Sequence, residues 1–262
     1  MEIEFNDVSI DTLNNISFKV LKGEILALIC DDKQVLLDLL LLHQKPTNGS
    51  ILFDKEEFNK DSNSKTINDI KIKIGLVNNY TEKKFLTNSV QDELELYINP
   101  LTKEKDKKYL DALKLVNLSP TILEKNPNSL SSIEKSKLSL ACGLITNPSL
   151  IVLDNIEFGM NYAEKKDLKK LLIKLKERYK KTVIVISDDV DFLTILVDNY
   201  IVINKGEITL MGTKKDFYNE KLYNYCDKPK IIEFIKYVNK KGHQIEEYTD
   251  LKELIKGIYR DV

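Results

Sequence analysis

GEILALICDDKQVLLDLLLL, residues 23 to 42, is the stretch on which the fold turns. From Glu24 to Ile29 it is a nearly unbroken apolar run; Cys30-Asp31-Asp32 interrupts it with charge, and Val35 to Leu42 resumes it with Asp38 as the one polar position. A short apolar run bounded by turn residues reads as a strand buried on both faces. The second run is far shorter than the about 20 residues a membrane span needs, so it reads as a buried helix. Three more runs look like the first: Ser149 to Leu153, Thr182 to Ile186 and Tyr200 to Asn204. Helical patterns lie between them, clearest at Leu168, Leu171, Leu172 and Leu175, an i, i+3, i+4, i+7 stripe with Lys and Glu on the opposite face. Apolar strands alternating with amphipathic helices predict an α/β fold built on a mainly parallel sheet covered on both sides.

Flanking segments have other rhythms. Glu4 to Val8 and Ile16 to Val20 alternate between apolar and polar positions, so a small antiparallel sheet is expected beside the main one, within the first 54 or so residues. From about Ser89 to Ser129 the pattern is helical and is punctuated by Pro100, Pro120 and Pro127, which predicts an inserted helical subdomain within residues 85–140. Pro229 opens an amphipathic helix carrying Ile231, Ile232, Ile235 and Val238, with Gly242 placed to cap it. A second helix starts near Asp250, with Glu253 at capping-box spacing and Leu251, Leu254, Ile255 and Ile258 on one face. We therefore expect a main domain over residues 1–217 and a carboxy-terminal helical extension, a separate unit, over 218–262.

Composition narrows the function classes. Forty Lys and Arg against 41 Asp and Glu leave a formal charge of −1, which gives no general pull toward nucleic acid or anionic lipid, and no aromatic-and-basic platform for nucleic acid is visible. The MEIEFNDVSI start lacks a basic segment followed by an apolar core, so no secretory signal is expected and the reading is cytoplasmic. Cys30, Cys142 and Cys226 are odd in number and widely spaced, which predicts structural burial and neither a disulfide framework nor a zinc site.

Order and spacing along the chain resemble the ATP-binding subunits of ABC transporters. Gly23 to Ile29 is similar to the turn and strand leading into a phosphate-binding loop, and Lys45-Pro46-Thr47-Asn48-Gly49-Ser50-Ile51 to the turn after the helix that follows it. Ile74-Gly75-Leu76-Val77 resembles the strand before the Q-loop, and Asn126 to Ser131 stands where the family has its signature. Asn147 to Asp154 resembles a Walker B strand, and Asn204-Lys205-Gly206-Glu207-Ile208 with Gly212-Thr213 the close of the domain. The helical tail is similar to the extension of energy-coupling-factor (ECF) ATPase subunits, which helps two subunits hold together. The resemblance implies a P-loop NTPase-like ABC ATPase fold, with ATP and Mg²⁺ as cofactors.

The chemistry-bearing positions depart from that pattern. A P-loop works because glycines let backbone N–H groups curl around phosphate, while Lys adds charge and Ser or Thr holds Mg²⁺. Here Cys30 to Val35 contains no glycine, and glycine is absent from 24 to 48 and from 76 to 142, so no shift of alignment restores the loop or the signature. Lys33 aligns with the family lysine, Gln34 and Val35 replace the Ser-Thr pair, and the loop is about three residues short. On its own Lys33 reads as a solvated lysine at a helix start. Asp31 and Asp32 should repel nucleotide, since a like-charge pair at 4 Å costs roughly 1 kcal/mol in water and several times that when partly buried.

Elsewhere Ser9 to Asn15 offers no aromatic for adenine stacking, and Asn79 aligns with the family's Q-loop glutamine while reading equally as a turn residue. Ile133 puts a branched side chain where signature glycines approach phosphate, although Ser131 and Glu134 keep capping-box spacing. Asp154 is the surviving Walker B acid and weak metal candidate, whereas Asn155 replaces the glutamate that polarises water; an amide cannot act as a general base. Asp188 replaces the switch histidine and Asn161 the D-loop aspartate. His43 and His243 are assigned no chemistry.

The expectation is a non-catalytic ECF-type subunit that pairs with a paralogous ATPase or with itself, together with an integral membrane T component. It would lie peripherally on the inner face of the membrane, in a system for uptake of vitamins or metal ions. Lys33, Gln34 and Ser131 would be its nucleotide-site remnants, and the replacements place binding of ATP and Mg²⁺ in doubt. The alternatives are an active ABC ATPase with a divergent site and a soluble scaffold or regulator of the same fold.

Overall fold

The structure, a computed structural model, describes residues 1–78 and 85–260. In chain order its strands are β1 (Ile3–Ile10), β2 (Leu13–Val20), β3 (Ile25–Cys30), β4 (Asn48–Phe53), β5 (Glu56–Phe58), β6 (Ile74–Asn78), β7 (Leu150–Asp154), β8 (Thr182–Ile186), β9 (Asn199–Asn204) and β10 (Glu207–Thr213). The α-helices are α1 (Lys33–Leu40), α2 (Ser64–Lys71), α3 (Val90–Glu95), α4 (Lys105–Leu115), α5 (Ser132–Leu144), α6 (Tyr162–Tyr179), α7 (Val190–Leu196), α8 (Lys230–Lys240) and α9 (Leu251–Arg260). The apolar runs of the sequence become β3, β7, β8 and β9, and the interrupted run after Lys33 becomes α1, which starts two residues earlier than its apolar part. Helix α2 carries one buried residue, Ile70, which is why no apolar stripe announced it.

Two sheets result. The larger has the order β10-β9-β3-β8-β7-β6, parallel from β9 to β6 with β10 an antiparallel edge. The smaller is antiparallel, with the order β2-β1-β4-β5. Because side chains alternate across a strand, β3 splits its apolar residues between two cores. Ile25, Ala27 and Ile29 join the cluster under α4 to α6, while Leu26 and Leu28 join Leu36 and Leu40 of α1 and Phe5 and Phe18 of the small sheet. Phe5 and Phe18 stack at 4.3 Å between centroids.

The helical insert, α3 to α5, is pinned to the sheet by two glycines. A Cβ on Gly75 of β6 would lie 2.2 Å from the carbonyl oxygen of Gly143 in α5, so helix and strand meet at a distance only glycine permits. At the other end, Leu222 and Ile232 belong to the same cluster as β3 and β8, so the carboxy-terminal extension packs on the α/β core and shares its apolar interior. Lys169 of α6 pairs with Asp250 ahead of α9 at 2.6 Å, and the Tyr218 hydroxyl donates to the Tyr248 carbonyl at 2.7 Å. Gly242, at φ +97°, follows α8 and donates its N–H to Asn239 O.

Parallel registry gathers three strand ends. Asp154 lies opposite Ile186 and Asn78, while Cys30 of β3, whose neighbour Leu28 lies opposite Ile186, is adjacent to Ile203 of β9. The carboxyl ends of parallel strands are where α/β sheets place ligands, and the candidate site is built there.

Candidate functional site

The turn from β3 to α1 is made by Asp31 and Asp32, and each carboxylate is engaged by a neighbouring turn. Asp31 accepts from its successor's backbone N–H at 3.0 Å and from the Lys205 N–H at 2.8 Å; Asp32 accepts from the Thr12 hydroxyl at 2.8 Å. Lys205 and Gly206 have φ of 52° and 79° in the tight turn between β9 and β10. That turn presses on the β1–β2 turn: Asn14 N–H donates to Gly206 O at 2.8 Å, and a Cβ on Gly206 would stand 1.8 Å from Thr12 O. The residues Thr12, Asp31, Asp32, Lys205 and Gly206 enclose an open cavity of about 510 Å³ with an acidic wall.

Lys33 opens α1 and stays part-exposed, as a solvated lysine would, but its Nζ also lies 2.9 Å from Asp154 Oδ1. With the Asn155 amide turned so that donors meet acceptors, its oxygen also accepts from Lys33 at 3.0 Å and its nitrogen donates to Ile186 O at 3.3 Å. Asn155 sits at φ 45°, a left-handed conformation that Asn tolerates, and its N–H also donates to Ile186 O at 2.9 Å. Lys33, Asp154 and Asn155 therefore come together. Gln34 does not join them, because its amide donates to both carboxylate oxygens of Asp38, one turn along α1.

Asp188 is exposed after β8 and lines a cavity of about 390 Å³ with Ser187, Tyr223, Cys226 and Asp227. The local field is negative. Burial first, then the charges of Asp31 and Asp188, push the Cys30 thiol up to about 12, with Lys33 opposing. Cys142 is buried, as expected, whereas Cys30 and Cys226 are only partly so, and all three are free thiols.

Sequence reasoning missed Glu157. It is 2 % exposed; Ser187 Oγ donates to its Oε1, and Oε2 has no hydrogen-bond partner. Desolvation raises its pKa. Ser187 also accepts from the Asp189 N–H at 2.9 Å, and Asp189 pairs with Lys165. The signal available was a lone acid three residues past a strand end, which in sequence looks like any solvated glutamate.

Ser131 is spent in a full capping box: its hydroxyl accepts from Glu134 N–H at 3.3 Å and its own N–H donates to Glu134 Oε2 at 3.0 Å. The Ser131 hydrogen bonds hold Glu134 below the usual carboxylate range. Ile133 next to it is 44 % exposed, so the α5 start presents a branched side chain to solvent. Asn161 caps α6 in the same way with Glu164. Asn79 lies outside the described residues. Among the described residues no group of three or more His, Cys, Asp or Glu is gathered in a metal-holding set.

A family model described as ABC transporter matches residues 13–156, more than half of the chain. The energy-coupling factor transporter ATP-binding protein EcfA3 of Oenococcus oeni is 26 % identical over 98 % of this chain and 96 % of its own. The corresponding EcfA2 of Staphylococcus epidermidis is 26 % identical over 94 % and 92 %. Among solved structures, cbiO1 from Clostridium perfringens, part of the ABC transporter complex cbiONQ, superimposes with a TM-score of 0.75 at 22 % identity. That match covers 89 % of this chain and 98 % of cbiO1, and it shows the fold.

Proposed function

The chain belongs to the ABC transporter family, and from that premise we propose that it is an ATP-binding-type subunit of an ECF-type transporter whose own nucleotide site is closed, acting as non-catalytic partner of another ATPase subunit. The observation that carries this reading is the Lys33–Asp154 ion pair at 2.9 Å. The one cation aligned with the family's phosphate-binding lysine is neutralised by the one acid aligned with its metal site, and Asn155 occupies the place of the general base.

The residues present do not fit MgATP. A tetra-anionic ligand needs several backbone N–H groups converging on it, and the glycine-free turn offers carboxylates in their place. Asp31 takes up the Asp32 N–H that would otherwise face such a ligand. ABC sites are composite, so this chain weakens two of them in any dimer: one through Asp31 and Asp32, the other through Ile133 at the start of α5. Its partners on this reading are a paralogous ATPase subunit or a second copy, and an integral membrane T component. Among the described residues no helix is long and apolar enough to cross a membrane; on this reading the subunit attaches peripherally, on the inner face, through its T component.

Calorimetric titration of the full chain with millimolar ATP, with and without Mg²⁺, tests the reading. No saturable heat is expected. Robust Mg²⁺-dependent binding would overturn it and favour an active ATPase with a divergent site. Co-expression with an intact ATPase subunit and a membrane component separates the transporter role from a soluble scaffold, because a transporter subunit co-purifies with both.

A further inference from the structure

Away from that site, α6 and α7 of the core and α8 and α9 of the extension enclose a cavity of about 710 Å³. Its floor is apolar, formed by Ile173, Phe192, Ile195, Ile231, Phe234 and Leu254. A volume of this size falls within the about 300–1,000 Å³ typical of small-molecule sites, which combine an apolar lining with a few convergent polar groups. Its charged groups are six lysines against Asp191 and Asp250, and four of the lysines are already matched. Lys169 pairs with Asp250 at 2.6 Å, Lys170 with Asp167 at 2.8 Å and Lys230 with Asp191 at 3.9 Å, while Lys165 pairs with Asp189. Two are not: among the described residues, Lys166 on α6 and Lys252 on α9 line the cavity with no carboxylate at ion-pair distance.

We infer that this cavity binds a small amphiphilic anion, an apolar body bearing one carboxylate-type head, with the head held by Lys166 and Lys252. Charge complementarity selects that class. A neutral apolar ligand leaves both ammonium groups unanswered, and a cation meets an excess of like charge. Because the cavity joins core to extension, occupancy ties α9 to α6 and bears on how firmly the extension is docked.

The probe is dodecanoate, titrated calorimetrically into the full-length chain, with its methyl ester and dodecylamine as controls. Saturable 1:1 binding is expected for dodecanoate, about tenfold weaker binding for the uncharged ester, and none for the amine. The double variant Lys166→Gln/Lys252→Gln removes one half-buried and one exposed ammonium, neither of them in an ion pair among the described residues, and should retain the fold while weakening dodecanoate about tenfold. Ile195→Glu places a carboxylate in the floor and should abolish binding. Raising the salt concentration should weaken the wild type and leave the double variant nearly unchanged. Absence of dodecanoate binding, equal binding of the ester, or indifference to the lysine changes would overturn the inference. So would a dimer that dissociates on Phe234→Glu and excludes dodecanoate, since a second copy would then be the occupant.

Discussion

Replacing Lys33 by Met and Asp154 by Asn, singly and together, measures how tightly the candidate site is closed. At 2.9 Å the gross attraction of two unit charges is about 6 kcal/mol at an effective dielectric of 20. That figure overstates the net, because the Lys33 side chain is 41 % exposed and that of Asp154 20 %, so solvent screens the pair and desolvation offsets much of the remainder. A coupling energy of about 1 kcal/mol is what this geometry supports. The assay is a double-mutant cycle on urea unfolding at pH 7, read from the midpoint at constant slope. Asp154→Asn alone should cost about 1–2 kcal/mol, since it leaves the ammonium with only the Asn155 amide oxygen. Once either partner is gone, changing the other should cost little. A coupling below about 0.3 kcal/mol would mean that the pair does nothing to hold the site closed, and the closed-site argument would lose its basis.

Further outcomes follow from other sites. Gly206→Ala should destabilise by at least about 2 kcal/mol in urea unfolding, because φ +79° is strained for alanine and the new Cβ would meet Thr12 O at 1.8 Å. Glu157 has a raised pKa in the fold, so its protonated form is the one the buried position favours. Stability linked to it is fully present below the unfolded value of 4.5 and is lost as pH rises toward the folded value. The midpoint of wild-type unfolding should therefore fall across that window relative to Glu157→Gln; parallel profiles would show that Glu157 ionises freely. Burial raises Cys30 to about 12 and Cys226 to about 11, and raises Cys142 as well. All three thiols should react slowly with a disulfide reagent at pH 8 in the native chain and rapidly in urea.

The apolar run and the periodic patterns were legible because each depends only on neighbours in sequence. The run from Glu24, the Leu168 stripe and the alternation at Ile16 to Val20 became β3, α6 and β2. Helix α2 was not, since it buries little. At the candidate site the residue types were readable but their partners were not. Lys33 and Asp154 are brought together by parallel registry between β3, β8 and β7, a pairing across more than a hundred residues that no local pattern encodes. The same holds for Asp31 with Lys205 and Asp32 with Thr12, which depend on two turns meeting at Gly206. Glu157 escaped notice because burial of a single acid leaves no periodic trace.

The starts of α5 and α6 each carry a resident carboxylate, Glu134 and Glu164, answering the positive pole of their own helix. A helix whose pole is satisfied from within does not wait for an arriving anion to become ordered. The first turns of α5 and α6 are therefore ordered in the chain as it stands, each by a carboxylate from its own helix.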